Sequence, residues 1–126
     1  MKVLIGMILL VITIIVAGFM GQRYLATTRQ NLNDALAEVE EALLQDDWEL
    51  SEATVSKLEE SWHNIHHKWA LLISQTETER LELSIVRLAS RIKTKEKGEA
   101  LMEIATGRSL LHSIIEKEML SLLNLL

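Results

Sequence analysis

Three of the four histidines lie within five residues of one another, at His63, His66 and His67. On a helix, His63, His67 and Glu60 would share one side, which is how a helix presents side chains to a metal ion. At about 100° per residue, with Trp62 at zero, these three fall between roughly 100° and 160°, whereas the apolar stripe of the same helix centres near 330°. The candidate ligands Glu60, His63 and His67 therefore face solvent, and we expect no metal site.

The sequence contains no arrangement of residues typical of catalysis. It has no cysteine, no glycine-rich phosphate loop and no His-Glu-x-x-His pair, so thiol chemistry, phosphate binding by a loop and helical zinc hydrolysis lack candidate residues. We expect no enzyme activity, no cofactor and no small-molecule substrate. A ligand pocket between Trp62 and Trp69 is an alternative to their role as core anchors, since they are one heptad apart and large enough to line one.

The chain begins with an unbroken apolar run from Val3 to Met20, in which Thr13 is the one polar side chain. As a helix this run would be about 27 Å long, close to the roughly 30 Å hydrocarbon core of a bilayer. Its twelve Leu, Ile, Val and Phe residues favour membrane insertion by about 4 to 7 kcal/mol. These predicted anchor residues are Val3, Leu4, Ile5, Ile8, Leu9, Leu10, Val11, Ile12, Ile14, Ile15, Val16 and Phe19.

We predict a retained transmembrane anchor over residues 1–24 and a helical bundle domain over residues 25–126. A cleaved signal peptide is the alternative, but its apolar region is usually about 7 to 15 residues long and ends at a small-x-small site, which Phe19 and Met20 disrupt. Basic residues are nearly balanced, with Lys2 before the run and Arg23 and Arg29 after it. Because a short N-terminal tail usually stays in the cytoplasm, we expect a single pass through the cell membrane, with the helical domain outside.

The part of the chain after the anchor is acidic. Residues 25–126 hold all 18 acidic residues and 11 of the 13 basic ones, a net charge of −7 (11 − 18), which argues against nonspecific nucleic-acid binding by the domain as a whole. Ten carboxylates lie between Asp34 and Glu60, and a basic cluster lies between Arg87 and Lys97. The two could pair across helices, or each could form a solvated face, which is the interpretation we favour.

Apolar residues recur three and four apart after the anchor, which is the spacing of one helix face. The pattern predicts helices over about 25–45, 46–73, 76–97 and 99–123. We expect Asp46-Asp47 to cap the second helix, Thr76-Glu77-Thr78-Glu79 to form a capping box at the third, and Gly98 to end the third. The predicted core residues are Leu36, Val39, Leu43, Val55, Leu58, Trp62, Ile65, Trp69, Leu72, Leu81, Ile85, Leu88, Ile92, Leu101, Ile104, Leu111, Ile115 and Leu122.

Short connections between amphipathic helices predict an all-α fold, in which the N-terminal transmembrane helix continues into an antiparallel up-and-down bundle of three to four helices. A long parallel coiled-coil homodimer is the alternative, although a rod does not need the predicted helix stops. The leucines between Leu120 and Leu126 are too few to span a membrane, and we expect them to close the core or to mark a partner site. Ala17 and Gly21 form a small-xxx-small pair, which favours pairing of anchors.

The layout resembles that of the bacterial domain of unknown function 4363. The resemblance rests on the apolar N-terminus, the spaced tryptophans Trp62 and Trp69, the seam from Arg87-Leu88 to Ile92, and the ending Leu123-Asn124-Leu125-Leu126. It covers most of the chain and implies a small membrane-anchored helical protein, with no catalytic residues to carry over.

These features predict a single-pass membrane protein that acts through protein contacts, as a structural or interaction module, a homo-oligomer or an accessory subunit of a membrane complex. The alternative is an extracytoplasmic sensing bundle that binds a ligand or a metal ion, with the Trp62–Trp69 pair or the histidine face as its site. In both hypotheses the membrane is a partner and nucleic acid is not.

Overall fold

The computed structural model describes the backbone of residues 1–125 and the side chains of residues 1–114. This part of the chain forms four helices, α1 (Lys2–Leu44), α2 (Trp48–Leu72), α3 (Gln75–Lys93) and α4 (Lys97–Leu125). Each helix packs against the next along the chain, and α1 also packs against α4, so the four form a closed ring of antiparallel neighbours. The predicted all-α class and up-and-down bundle are confirmed, and the parallel rod is wrong because the chain folds back on itself at each connection.

The first helix belongs to two environments. α1 is 43 residues long, about 64 Å at 1.5 Å per residue. The side chains of residues 1–20 are all exposed, whereas a stripe from Leu25 to Leu43 is buried in the bundle. With no proline in the chain, nothing removes a backbone hydrogen bond along α1. The helix therefore continues from the apolar run into the bundle, as predicted, and crosses the predicted domain boundary without a break.

The core lies between the four helices. The buried members of the predicted set are Leu36, Val39, Leu43, Val55, Leu58, Trp62, Trp69, Leu81, Ile85, Leu88, Ile92, Ile104 and Leu111. Leu25, Leu32, Ile73, Ala100 and Ile114 are buried as well. Because apolar side chains on all four helices meet at one axis, a single core holds the ring together.

Three predicted core positions differ in the structure. Leu72 is wrong, because it lies in the last turn of α2 and is 38% exposed, while Ile73 is buried in its place. Ile65 and Leu101 are only partly buried and pack against the edge of the core. Ile115 and Leu122, with the C-terminal leucines, lie outside the described side chains.

Two connections lie at the end of the bundle remote from the apolar run, and both use the same turn. Asp46 and Lys95 have φ angles of 56° and 58°. In each turn this residue donates its N–H to a carbonyl three positions earlier, and the next residue donates to a carbonyl five positions earlier. This is a Schellman motif, which usually carries glycine at the left-handed position. The predicted stop at Gly98 is therefore wrong, since α3 ends at Lys93 and Gly98 lies in the first turn of α4.

The helix starts follow local capping rules. Asp47 caps α2, as expected, with its Oδ1 accepting from the N–H of Leu50 at 3.0 Å. The box predicted at Thr76–Glu79 is wrong by two residues, because Ser74 caps α3 and its Oγ accepts from the N–H of Glu77 at 3.4 Å. Ser74 and Thr76 each begin a Ser/Thr-x-x-Glu/Gln-type pattern, and the chain uses the first because Ile73 is already extended.

Candidate functional site

The end of α2 lies beside the point where α1 leaves the bundle. A Cβ atom built on Gly21 would lie 3.4 Å from the Cδ2 atom of Leu72. Gly21 follows Met20, the last residue of the apolar run. We call the residues around this point, Gly21, Tyr24 and Thr28 of α1 with Trp69 and Leu72 of α2, the anchor junction. Gly21 therefore faces α2 of its own chain. Its small size allows this close approach, which is an alternative to the predicted role of Ala17 and Gly21 in pairing two anchors.

A buried hydrogen bond joins the two helices at the anchor junction. The Nε1–H of Trp69 donates to Oγ1 of Thr28 at 2.7 Å, and that hydroxyl donates to the backbone carbonyl of Tyr24 at 2.8 Å. Trp69 is 1% exposed and Thr28 is 8% exposed. A buried indole N–H requires an acceptor, so this bond fixes the rotation of α1 relative to α2.

Aromatic packing extends the anchor junction on both sides. The ring of Trp62 meets that of Trp69 edge-to-face, with centroids 5.7 Å apart, and Nζ of Lys68 lies 5.4 Å from the centroid of Tyr24. Both tryptophans are buried core residues. The sequence prediction missed Thr28, although a polar residue in the heptad register of Leu32 and Leu36 is a signal that could have found it.

The histidine face is exposed. Glu60, His63 and His67 all lie on the solvent side of α2, and His66 is partly buried. Nδ1 of His66 donates to the backbone carbonyl of His63 at 2.8 Å, and its ring lies 3.9 Å from that of His67. Within the described part of the chain, no three His, Cys, Asp or Glu side chains are placed to hold a metal ion.

A shallow groove of about 360 Å³ lies between α2 and α3 near the histidines. Trp62, Glu60 and His63 line it on α2, and Glu82 and Ile85 line it on α3, whereas His67 does not reach it. The Nε1 atom of Trp62 has no hydrogen-bond partner among the described residues. The groove is therefore the place where the structure brings two of the three candidate ligands near a predicted core tryptophan.

Ion pairs join the helices at the end remote from the anchor junction. The basic cluster pairs mostly with α4 and its preceding turn, through Arg87–Glu103 at 3.2 Å and through Arg91 with Glu96 and Glu99, each at 3.1 Å. Two contacts reach the acidic stretch, Lys97–Asp46 at 3.0 Å and Arg108–Glu40. Hydrogen bonds from Thr94 and Arg91 lower the pKa of the Glu96 carboxyl. Most of these ion pairs are at least one-third exposed, and such pairs contribute little to stability, whereas Glu103 is only 17% exposed.

The apolar part of α1 has the dimensions of a membrane span. It is the one helix in the described part of the chain that is long and apolar enough to cross a membrane, and none of its apolar segment is buried in the bundle. A signal sequence near an N-terminus meets the same criteria. The structure thus shows an exposed apolar helical segment that is continuous with a helix of the bundle.

The fold and the anchor junction together define a class of protein, an all-α up-and-down bundle whose first helix extends beyond the bundle as an apolar segment. The family model described as Domain of unknown function (DUF4363) matches residues 19–125. The chain therefore belongs to that family, as the sequence resemblance predicted, and the match covers the bundle together with the anchor junction. No curated protein and no solved structure matches the chain.

Proposed function

We propose that the chain is a single-pass membrane protein whose bundle stands outside the cytoplasm and acts through protein contacts, either with a second copy or as an accessory subunit of a membrane complex. One observation carries the proposal, namely that α1 is a single helix with an exposed apolar half and a buried half. Soluble monomers rarely expose an apolar patch of more than a few hundred Å². A bilayer covers such a helix over its whole circumference.

The anchor junction supports a mechanical role for this arrangement. No flexible linker separates the apolar run from the bundle, and the Trp69–Thr28 hydrogen bond ties the exit of α1 to α2. Rotation or tilt of the anchor would therefore move α2 with it. The proposal includes no reaction, because the sequence contains no catalytic arrangement.

The test for a partner is chemical cross-linking of the full chain in its own cells, followed by extraction in a mild detergent and mass spectrometry. The proposal expects a second copy or a membrane protein to be recovered reproducibly with the chain. Recovery of the cross-linked chain as a monomer without any partner would contradict the proposed contact role.

Orientation can be tested separately because the chain has no cysteine. A Ser56→Cys variant places one thiol at an exposed position of α2, and Lys2→Cys places one on the other side of the apolar run. In intact cells, a membrane-impermeant maleimide should label the Ser56→Cys variant, and it should label the Lys2→Cys variant only after lysis. The reverse pattern would place the bundle in the cytoplasm.

A second candidate function is ligand binding in the groove between α2 and α3. Two observations favour it: Trp62 lines that groove, and its buried Nε1–H lacks an acceptor among the described residues. Calorimetry of the full chain in detergent with divalent metal ions and small hydrogen-bond acceptors tests it. Heat that disappears in a Trp62→Phe variant supports this function, and the absence of heat throughout excludes these ligands.

A further inference from the structure

The last turn of α2 places two leucines level with the end of the apolar run. Leu71 is 87% exposed and Leu72 is 38% exposed. Leu72 lies against Gly21, which is one residue, about 1.5 Å along the helix axis, beyond Met20. The position of a bilayer crossed by Val3–Met20 therefore determines the environment of these leucines, because they stand at the height where the hydrocarbon core meets the headgroups.

Charge on the α1–α2 hairpin changes with distance from that height. Residues 21–33 and 61–73 contain Arg23, Arg29 and Lys68 and no acidic residue. The first carboxylate on α1 is Asp34, thirteen residues or about 20 Å beyond Gly21. The near half of the hairpin is thus suited to the anionic phosphates of lipid headgroups, while its acidic half is kept away from them.

The first turns of α3 do not share this basic character. They carry Glu77, Glu79 and Arg80, and NH1 of Arg80 lies 3.9 Å from Oε1 of Glu77. The side of the bundle that suits a lipid surface is therefore the end of α2 with the adjoining part of α1.

We propose that the end of α2 is a second membrane contact, in which Leu71 and Leu72 enter the headgroup region of the bilayer that α1 crosses, with Arg23 and Lys68 near lipid phosphates. This inference rests on the proposed function, because α1 sets the position of the bilayer. The occupant is lipid, since Leu72 lies against Gly21 at the end of the exposed apolar surface of α1 and the near half of the hairpin carries basic residues without acidic ones. Two contacts, one on each helix, fix the tilt of the bundle, which a single spanning helix would leave free.

Lipid-borne quenching of a single fluorophore tests the contact in the full chain. In the cysteine-free background, Leu71→Cys carries an environment-sensitive label, and the chain is reconstituted in vesicles of phosphatidylcholine and phosphatidylglycerol with a headgroup-level spin-labelled lipid. Leu50→Cys is the matched control, because Leu50 is an exposed leucine of the same helix, 44% exposed and about 32 Å away. We expect quenching at position 71 to exceed that at position 50 several-fold.

An Ile12→Cys variant, read with a lipid quencher placed deep in the bilayer, separates this inference from the proposed function. Strong quenching at positions 12 and 71 supports the membrane anchor and the second membrane contact. Quenching at 12, with position 71 no more quenched than position 50, overturns the second contact and leaves the anchor intact. Failure to quench at 12 overturns the anchor and the inference with it.

Two further readings complete the design. A label at 71 shielded from both lipid quencher and aqueous iodide would show a protein contact instead, which also overturns the proposal. Far-UV circular dichroism of each labelled variant should match the parent chain, because Leu71 and Leu50 point away from the core. A variant that loses helix is replaced by the neighbouring exposed position, Ala70 for Leu71 and Glu49 for Leu50.

Discussion

The hydrogen bond between Trp69 and Thr28 makes the anchor junction testable by substitution. Thr28→Val keeps the shape of the side chain and removes the acceptor of the indole N–H. The carbonyl of Tyr24 keeps its partner within the helix, so the principal loss is the 2.7 Å bond from Trp69. Leaving a buried donor without an acceptor costs about 1 to 3 kcal/mol. We expect the free energy of unfolding to fall by that amount.

A double-mutant cycle isolates the bond from other effects of the substitutions. Trp69→Phe removes the donor, and in that background Thr28→Val no longer strands a buried N–H. The coupling free energy between the two positions should then be about 1 kcal/mol or more. The assay is urea or thermal unfolding of the full chain in detergent micelles, followed by far-UV circular dichroism.

The chain provides a matched control for the threonine substitution. Thr54 is also buried in a helix, but its hydroxyl donates only to the carbonyls of Leu50 and Ser51 in its own helix. We expect Thr54→Val to change the free energy of unfolding by less than about 0.5 kcal/mol. A coupling energy of zero between positions 28 and 69, or equal losses for Thr28→Val and Thr54→Val, would refute the role assigned to the bond.

Three further predictions concern the bundle. Gly107 lies within α4, and a Cβ atom added there would lie 3.4 Å from the side chain of Leu36, which is an ordinary contact. Because alanine favours a helix more than glycine does, Gly107→Ala should raise the free energy of unfolding by about 1 kcal/mol, measured by urea unfolding. Lys95 has a φ of 58°, so Lys95→Gly should stabilise by about 0.5 to 1 kcal/mol and raise the melting temperature. Hydrogen bonds from Thr94 and Arg91 lower the pKa of Glu96, so its contribution to stability is present above the unfolded pKa of 4.5 and is lost as pH falls through the folded value. The difference in stability between the parent chain and Glu96→Gln should therefore disappear in acid.

Each of these has a clear contrary outcome. A lower melting temperature for Gly107→Ala would show that α4 cannot take a methyl group against α1. Alanine has the same steric cost at a positive φ as lysine, and only glycine relieves it. Equal effects of Lys95→Gly and Lys95→Ala on stability would therefore show that the left-handed backbone does not destabilise the turn. A stability difference for Glu96→Gln that does not shrink as the solution is acidified below pH 4.5 would contradict the lowered pKa.

Periodic apolar spacing predicted the helices and most of the core because it reflects burial directly. The seam of α2, from Val55 through Leu58 to Trp69, repeats every three or four residues, and the structure buries all three. The helix ends were less predictable, because the stop at Lys93 depends on a left-handed lysine that no glycine marks. The prediction that Leu72 is buried was wrong for a related reason, since the apolar pattern does not show where the last turn of a helix leaves the core.

The contacts of the anchor junction could not be predicted from the sequence pattern. The spacing of Trp62 and Trp69 placed both in the core, but the acceptor of the Trp69 N–H lies 41 residues earlier in the chain. Such a pair depends on the register of α1 against α2. Amphipathic spacing does not define this register, because sliding one helix by a full turn still places apolar residues against each other. The depth of Leu71 relative to Met20 depends on the same register, and for this reason it emerged only from the folded chain.

Carbonate extraction of membranes from cells that express the full chain, combined with intact-mass measurement, tests most directly whether α1 is a retained anchor that continues into the bundle. If α1 is retained, the chain stays in the membrane pellet and its mass includes the apolar run, whereas a variant with Leu10→Lys and Ile12→Lys is released. A chain that leaves the pellet, or whose mass lacks residues 1–20, would show that the apolar run is a removable leader and would contradict the anchored bundle.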